Sequence, residues 1–215
     1  MRKLFVLTLL AVATFVTAQE NKFVIRGEMS SSTLCYSEDL VKEVRLEQNV
    51  DGNIVVLATS PVEDNKFTLE GVISEDIALC NITGFDNGSV TIFLEKGEIK
   101  VGPFNAAYPV AARIGGTPHN DLYQAYLDLY QQCINESKVR MKKATESLPA
   151  EIKGNLEAEQ KYTSPTFYVN NMHFKVAVMD FIYEHIESPV ILYVIKYAMV
   201  PTFTPDVIQK FVDAL

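Results

Sequence analysis

The 215-residue sequence predicts an α+β protein, with an antiparallel β-sandwich or open barrel over residues 19–116 and a helical region over 117–215. Three observations carry this expectation. Short apolar-polar alternating runs separated by turn residues fill the first half. The hydrophobic period changes from two to about three and a half near Gly115-Gly116-Thr117-Pro118. An apolar fraction of 48% then supplies enough side chains to build real cores in both halves.

Residues 1–18 stand apart from both regions. Arg2 and Lys3 precede an apolar run from Leu4 to Val16, and the small residues Thr17 and Ala18 close it. That order is the one a cleavable signal peptide needs. The run is shorter than the roughly 20 residues a membrane-spanning helix takes. Cleavage is expected after Ala18, which directs the mature chain to the periplasm or the medium. No cysteine stands at the cleavage point, so the expected product is not a lipoprotein. No later stretch has the length and apolarity of a span.

The eight expected strands are Phe23–Met29, Glu43–Asn49, Ile54–Ser60, Phe67–Val72, Ile77–Ile82, Val90–Leu94, Glu98–Val101 and Val110–Ile114. Asp51-Gly52, Glu63-Asp64-Asn65, Asp86-Asn87-Gly88 and Lys96-Gly97 separate them with residues suited to positive φ and tight hairpins. Alternation in Val44/Leu46 and Phe67/Leu69 predicts one buried and one wet face.

In the second half, Asn120 is the expected N-cap of a long amphipathic helix reaching about Leu148. Pro149 permits a new helical start that runs to about Lys161. Thr163-Ser164-Pro165 reads as a break before a third helix, from about Asn171 to Glu187. Ser188-Pro189 and Thr204-Pro205 pair a hydroxyl N-cap with proline at the first helical position, so each predicts another start. The segment after Pro189 is apolar nearly all round, suited to the centre of a bundle or to docking a partner.

Charge limits the partners. The formal net charge is −8, and removing Arg2 and Lys3 with the signal takes it to about −10. Nucleic-acid binding rests on Lys and Arg neutralising phosphates, so no nucleic-acid partner is expected. The remaining expectation is a protein or peptide partner, or self-association through the apolar C-terminal helices, with no cofactor.

Chemistry-bearing residues are sparse. The three histidines, His119, His173 and His185, form no metal-ligand pair such as H-E-x-x-H. His119 reads as a solvated turn residue. No G-x-S-x-G supplies a nucleophile elbow. Gly115-Gly116-Thr117 before a helix has the outline of an anion-binding turn, yet no lysine follows and Pro118 removes a donor. Acid pairs such as Glu63-Asp64 and Glu75-Asp76 read as solvated charge. The sequence therefore predicts no catalytic, cofactor-binding or metal residues. Cys35, Cys80 and Cys133 are too far apart for a C-x-x-C motif. Cys35 and Cys80 are a candidate disulfide, because both lie in the β-rich half of a chain bound for an oxidising compartment. Cys133 shares a helical stripe with Leu122, Tyr126 and Leu129, which points to packing.

Four segments carry a resemblance: Phe23-Val24-Ile25-Arg26-Gly27, Lys66-Phe67-Thr68-Leu69-Glu70-Gly71, Phe93-Leu94-Glu95-Lys96-Gly97-Glu98-Ile99, and Gly115-Gly116-Thr117 with Asn120-Asp121-Leu122. Together they resemble the β-rich N-terminal domain of unknown function that precedes the thioredoxin-like domain in gram-negative envelope thiol-disulfide oxidoreductases. The resemblance spans about Lys22 to Tyr130. In that family the chemistry belongs to a downstream Trp-Cys-x-x-Cys segment. This chain has no tryptophan and no paired cysteines. The resemblance thus implies an accessory module without a catalytic residue, or the N-terminal part of an oxidoreductase whose catalytic domain lies beyond Leu215.

Overall fold

The computed structural model describes residues 21–30, 41–74 and 76–215. The signal-peptide segment 1–18 and Cys35, with its proposed pairing to Cys80, lie outside the described residues. The chain forms two compact units, one ending at Gln124 and the other beginning at Ala125.

Among the described residues, the first unit holds eight strands: β1 Lys22–Met29, β2 Glu43–Val50, β3 Asn53–Pro61, β4 Lys66–Val72, β5 Ala78–Thr83, β6 Val90–Leu94, β7 Gly97–Phe104 and β8 Ile114–Gly115. They make two four-stranded sheets in the orders β4-β1-β7-β8 and β3-β2-β5-β6, with no closed barrel. Period-two alternation sends Phe23, Ile25 and Met29 of β1, Val44 and Leu46 of β2, Cys80 and Ile82 of β5, and Ile99 and Val101 of β7 into the core. Among the described residues, every ladder between these strands is antiparallel except β1–β7, which is parallel. A parallel pair needs a long crossover, and the chain between Met29 and Gly97 supplies it, contributing β4 to the same sheet and β2, β3, β5 and β6 to the other.

Two glycines in the strands answer to aromatic rings. Phe23 stands opposite Gly71 and Gly27 opposite Phe67 across the β1–β4 ladder. A Cβ on Gly27 would overlap the Phe67 ring, and one on Gly71 would sit 2.7 Å from that of Phe23. Each glycine therefore makes room for the ring opposite.

The expected strand Val110–Ile114 is corrected. Pro109–Ala111 is a turn of 3₁₀ helix, and only Ile114–Gly115 joins the sheet. Pro109 fixes its own φ in the helical range and lies at the first helical position, where its missing N–H costs nothing.

The long helix α1, Pro118–Glu146, begins in the first unit and continues into the second. It starts two residues before the expected Asn120 cap. Thr117-Pro118 carries the same hydroxyl-proline signature as the two later starts, and the Asp121 N–H donates to the Thr117 carbonyl.

The second unit continues with α2 Leu156–Glu184, α3 Val190–Val194 and α4 Pro205–Val212. Pro149 begins only a 3₁₀ turn, Ala150–Ile152, and the N-cap of α2 is Asn155, whose side chain accepts from the Ala158 N–H. The expected break at Thr163-Ser164-Pro165 does not occur. Pro165 cannot donate to the Lys161 carbonyl four residues back, but the Ser164 hydroxyl donates to that carbonyl at 2.9 Å. Thr163 likewise bonds the Glu159 carbonyl at 2.9 Å. Helix α3 passes into a π-helical turn, Ile195–Met199, closed by a bond from the Val200 N–H to the Ile195 carbonyl. Val190, Ile191, Val194, Ile195, Ala198 and Met199 are buried, whereas Leu192, Tyr197 and Val200 are exposed. Among the described residues, no helix is long and apolar enough to cross a membrane.

Candidate functional site

The densest buried polar cluster of the first unit joins strand β6, the β6–β7 turn and the first turn of α1. Strand β6 ends the β3-β2-β5-β6 sheet, so among the described residues one row of its backbone groups has no neighbouring strand. Asn120, fully buried, supplies the partner. Its Oδ1 accepts from the Phe93 N–H at 3.0 Å, and its Nδ2 donates to the Phe93 carbonyl at 2.6 Å. The second amide proton goes to the Thr117 Oγ1 at 2.8 Å. One carboxamide thus pairs with the edge of β6 as a strand would. The Phe93 side chain, on the face away from Ile92 and Leu94, meets Tyr123 of α1 edge-on with ring centres 5.4 Å apart.

One residue beyond β6, Glu95 reaches the same helical turn. Its Oε1 accepts from the His119 backbone N–H at 2.9 Å, and its Oε2 pairs with the His119 Nδ1 at 2.8 Å. The Glu95 side chain is 9% exposed and that of His119 is 29% exposed, so the carboxylate is inside and the imidazole at the rim. A carboxylate at this place fills two roles. It satisfies an amide that the helix itself leaves unpaired, and it sits at the positive end of the helix dipole.

The glycine turn ahead of the helix is filled by the chain's own acid. Asp121 Oδ1 accepts from the Gly116 N–H at 2.8 Å. Gly116 has φ +95°, and a side chain there would run into the Glu98 carbonyl. The donor that a bound anion would use is therefore occupied by Asp121.

This cluster revises the reading of His119, which is a partner of a buried carboxylate and not a solvated turn residue. The other candidates do not join it. His173 lies on α2 beside Tyr168 and Met172, and His185 caps the C-terminus of α2 against the Phe181 ring, 4.8 Å away. Cys80 is fully buried in β5. Cys133 is half-buried on α1, and burial pushes its thiol above the usual range, with the Glu136 carboxylate adding to the effect. A thiol held protonated is a poor nucleophile. Asp64 and Asn65 both adopt positive φ at the β3–β4 turn. Among the described residues, no three His, Cys, Asp or Glu side chains are grouped to hold a metal ion.

A domain of unknown function, DUF4369, is found at residues 23–123. No curated protein and no solved structure matches the chain. The DUF4369 match runs from β1 to the first turns of α1, and so covers the strands and the helix start that the cluster ties together. Within it, the Phe93–Ile99 segment supplies the strand edge and the carboxylate. The Gly115–Leu122 segment supplies the carboxamide, the hydroxyl and the glycine turn. The two DUF4369 segments meet in space, and their polar groups bond one another.

Proposed function

We propose that this protein is an exported, non-catalytic module that binds a protein or peptide partner, comparable to the N-terminal accessory domain of envelope thiol-disulfide oxidoreductases. The observation that supports it most is the use made of the polar side chains within the DUF4369 domain. Glu95, Asn120 and Asp121 each bond backbone amides of the fold, so these groups hold a helix on a sheet. Large apolar side chains are left exposed. Ile54, Val55 and Val56 on β3 and Phe167, Tyr168, Met172 and Val176 on α2 are all exposed. Exposed apolar groups clustered in this way are characteristic of protein contact surfaces. The basic start, short apolar run and small-residue ending of residues 1–18 support export, with cleavage after Ala18 and a periplasmic or secreted destination.

The test is to produce the full chain in a gram-negative host, recover the processed protein from the periplasm or medium, and assay it for thiol-disulfide exchange. The reading predicts an N-terminus at Gln19 and no exchange above that of a Cys35→Ser, Cys80→Ser, Cys133→Ser triple variant. Turnover that depends on any of the three cysteines would contradict the non-catalytic part. Retention of residues 1–18 on a cytoplasmic product would contradict the export part.

A further inference from the structure

A side-chain carbonyl can be attacked by the chain's own backbone where three conditions meet. The residue is Asn or Asp, the next residue has no side chain in the way, and that residue's N–H is not held in a hydrogen bond. Asn87-Gly88 is the one Asn-Gly pair in the sequence, and Asp51-Gly52 the one Asp-Gly pair. Both pairs are exposed, and both glycines have positive φ, +93° at Gly88 and +86° at Gly52.

Hydrogen bonding separates the two. The Gly52 N–H donates to the Asn49 Oδ1 at 2.8 Å, which keeps that nitrogen engaged in the β2–β3 turn. Among the described residues, neither the Gly88 N–H nor the Asn87 carboxamide makes a hydrogen bond. The pair lies in the β5–β6 link, residues 84–89, between two buried anchors. Phe85 packs edge-on against Phe104 on one side, and Val90 enters the core on the other. A Cβ built on Gly88 would come no closer than 3.6 Å to its nearest neighbour, Val110, so the turn is not wedged in place. Other asparagine carbonyls are engaged. Asn81 Oδ1 accepts from the Thr91 hydroxyl at 3.0 Å, Asn105 Oδ1 from the Ala107 N–H at 2.9 Å, and Asn155 Oδ1 from the Ala158 N–H at 3.2 Å.

We propose that Asn87 is a modification site, which deamidates in the folded protein through a cyclic imide closed by the Gly88 nitrogen. That nitrogen attacks the Asn87 Cγ and forms a new C–N bond. The side-chain nitrogen leaves as ammonia, taking the proton that the glycine amide gives up. Water, the one co-reactant, then opens the ring. Attack at the side-chain carbonyl gives aspartate. Attack at the main-chain carbonyl gives isoaspartate, whose backbone runs through Cγ and lengthens the β5–β6 link by one atom. Either product sets a new negative charge beside Asp86, on a chain whose net charge is already −8. The reaction needs no partner, so it holds whether or not the binding-module reading does.

The purified chain, held at mildly alkaline pH where the glycine amide gives up its proton more readily, provides the test. Ion exchange follows the acidic species, and peptide mass spectrometry with an isoaspartate assay locates it. The expected result is aspartate and isoaspartate at position 87, formed faster as pH rises and no more than about thirtyfold more slowly than in the denatured chain, since an exposed link moves locally at little cost. A reaction that waited for global unfolding would be slower by the folding equilibrium constant, ~10³ or more. A rate below the thirtyfold limit overturns the proposal. Asn87→Gln should abolish the acidic species, because the larger ring closes far more slowly, and persistence of that species in the variant also overturns it. Asn49→Ala, which releases the Gly52 N–H, should speed isoaspartate formation at Asp51 about fivefold, the worth of one exposed hydrogen bond, and leave Asn87 unaffected. An Asp51 rate that does not move would overturn hydrogen bonding at the glycine amide as what selects Asn87.

Discussion

The Asn120 side chain bonds both the N–H and the C=O of Phe93, 27 positions earlier in the chain, and so pairs with an edge strand from within a helix. Around that contact, Glu95 holds the His119 amide and Asp121 holds the Gly116 amide. Replacing a group like Asn120 costs more than the bonds themselves, because the buried Phe93 groups are left without partners. Each such group costs about 1–3 kcal/mol. Asn120→Ala should therefore lower stability by about 2–4 kcal/mol. Asn120→Asp should also destabilise the fold, since it keeps the acceptor for the Phe93 N–H but sets a carboxylate against the Phe93 carbonyl. Denaturant unfolding of the two variants gives both values.

Gly27→Ala forces a methyl group into the Phe67 ring across the β1–β4 ladder. Overpacking of this kind costs about 1–3 kcal/mol. The Gly27→Ala/Phe67→Leu double variant should recover part of that loss relative to the sum of its single variants. Strict additivity in thermal unfolding would show that the Phe67 ring is not the cause.

Pro165 lies inside α2, where a proline ordinarily costs ~3 kcal/mol. The Ser164 hydroxyl relieves part of that by bonding the Lys161 carbonyl. Pro165→Ala should therefore raise stability by about 1–2 kcal/mol. Ser164→Ala alone should lower it by less than about 1 kcal/mol, because the carbonyl is at the surface and water can replace the hydroxyl. Far-UV circular dichroism during denaturation follows both changes.

Burial pushes the Tyr126 phenol up to about 12, with Tyr130 and Tyr193 adding smaller effects. The folded value is above the unfolded one, so the folded state holds this proton more tightly. The resulting stability is complete below pH ~10 and is lost as pH rises from about 10 to 12. Spectrophotometric titration of the wild type minus Tyr126→Phe should show one phenol ionising late. A difference curve centred near pH ~10 would contradict the burial of Tyr126.

The first seven strands were legible from short β-prone runs, from alternation as in Val44/Leu46 and Phe67/Leu69, and from turns that need positive φ, as at Asp51-Gly52 and Lys96-Gly97. The parallel β1–β7 pairing was not, since register between distant strands leaves no local mark. Helix boundaries misled where a side chain compensated for a poor backbone former. Ser164 replaces the bond that Pro165 removes, so a sequence that reads as a break continues as helix. At the start of α1, Asn120 has the chemistry of a cap but spends it on Phe93, and Thr117-Pro118 begins the helix instead. The candidate site was hidden for the same reason. His119 and Glu95 are 24 positions apart, and only the fold of β6 against α1 brings them together.

Polar side chains of the DUF4369 domain serve the fold through the contact of Asn120 with Phe93. Amide hydrogen exchange at Phe93, in the wild type and in Asn120→Ala, tests this most directly. The expected result is a protected Phe93 amide in the wild type, and in the variant an exchange rate at least about 30-fold faster, with the β5–β6 ladder still protected. A Phe93 amide that exchanges at the same slow rate in both proteins would contradict it.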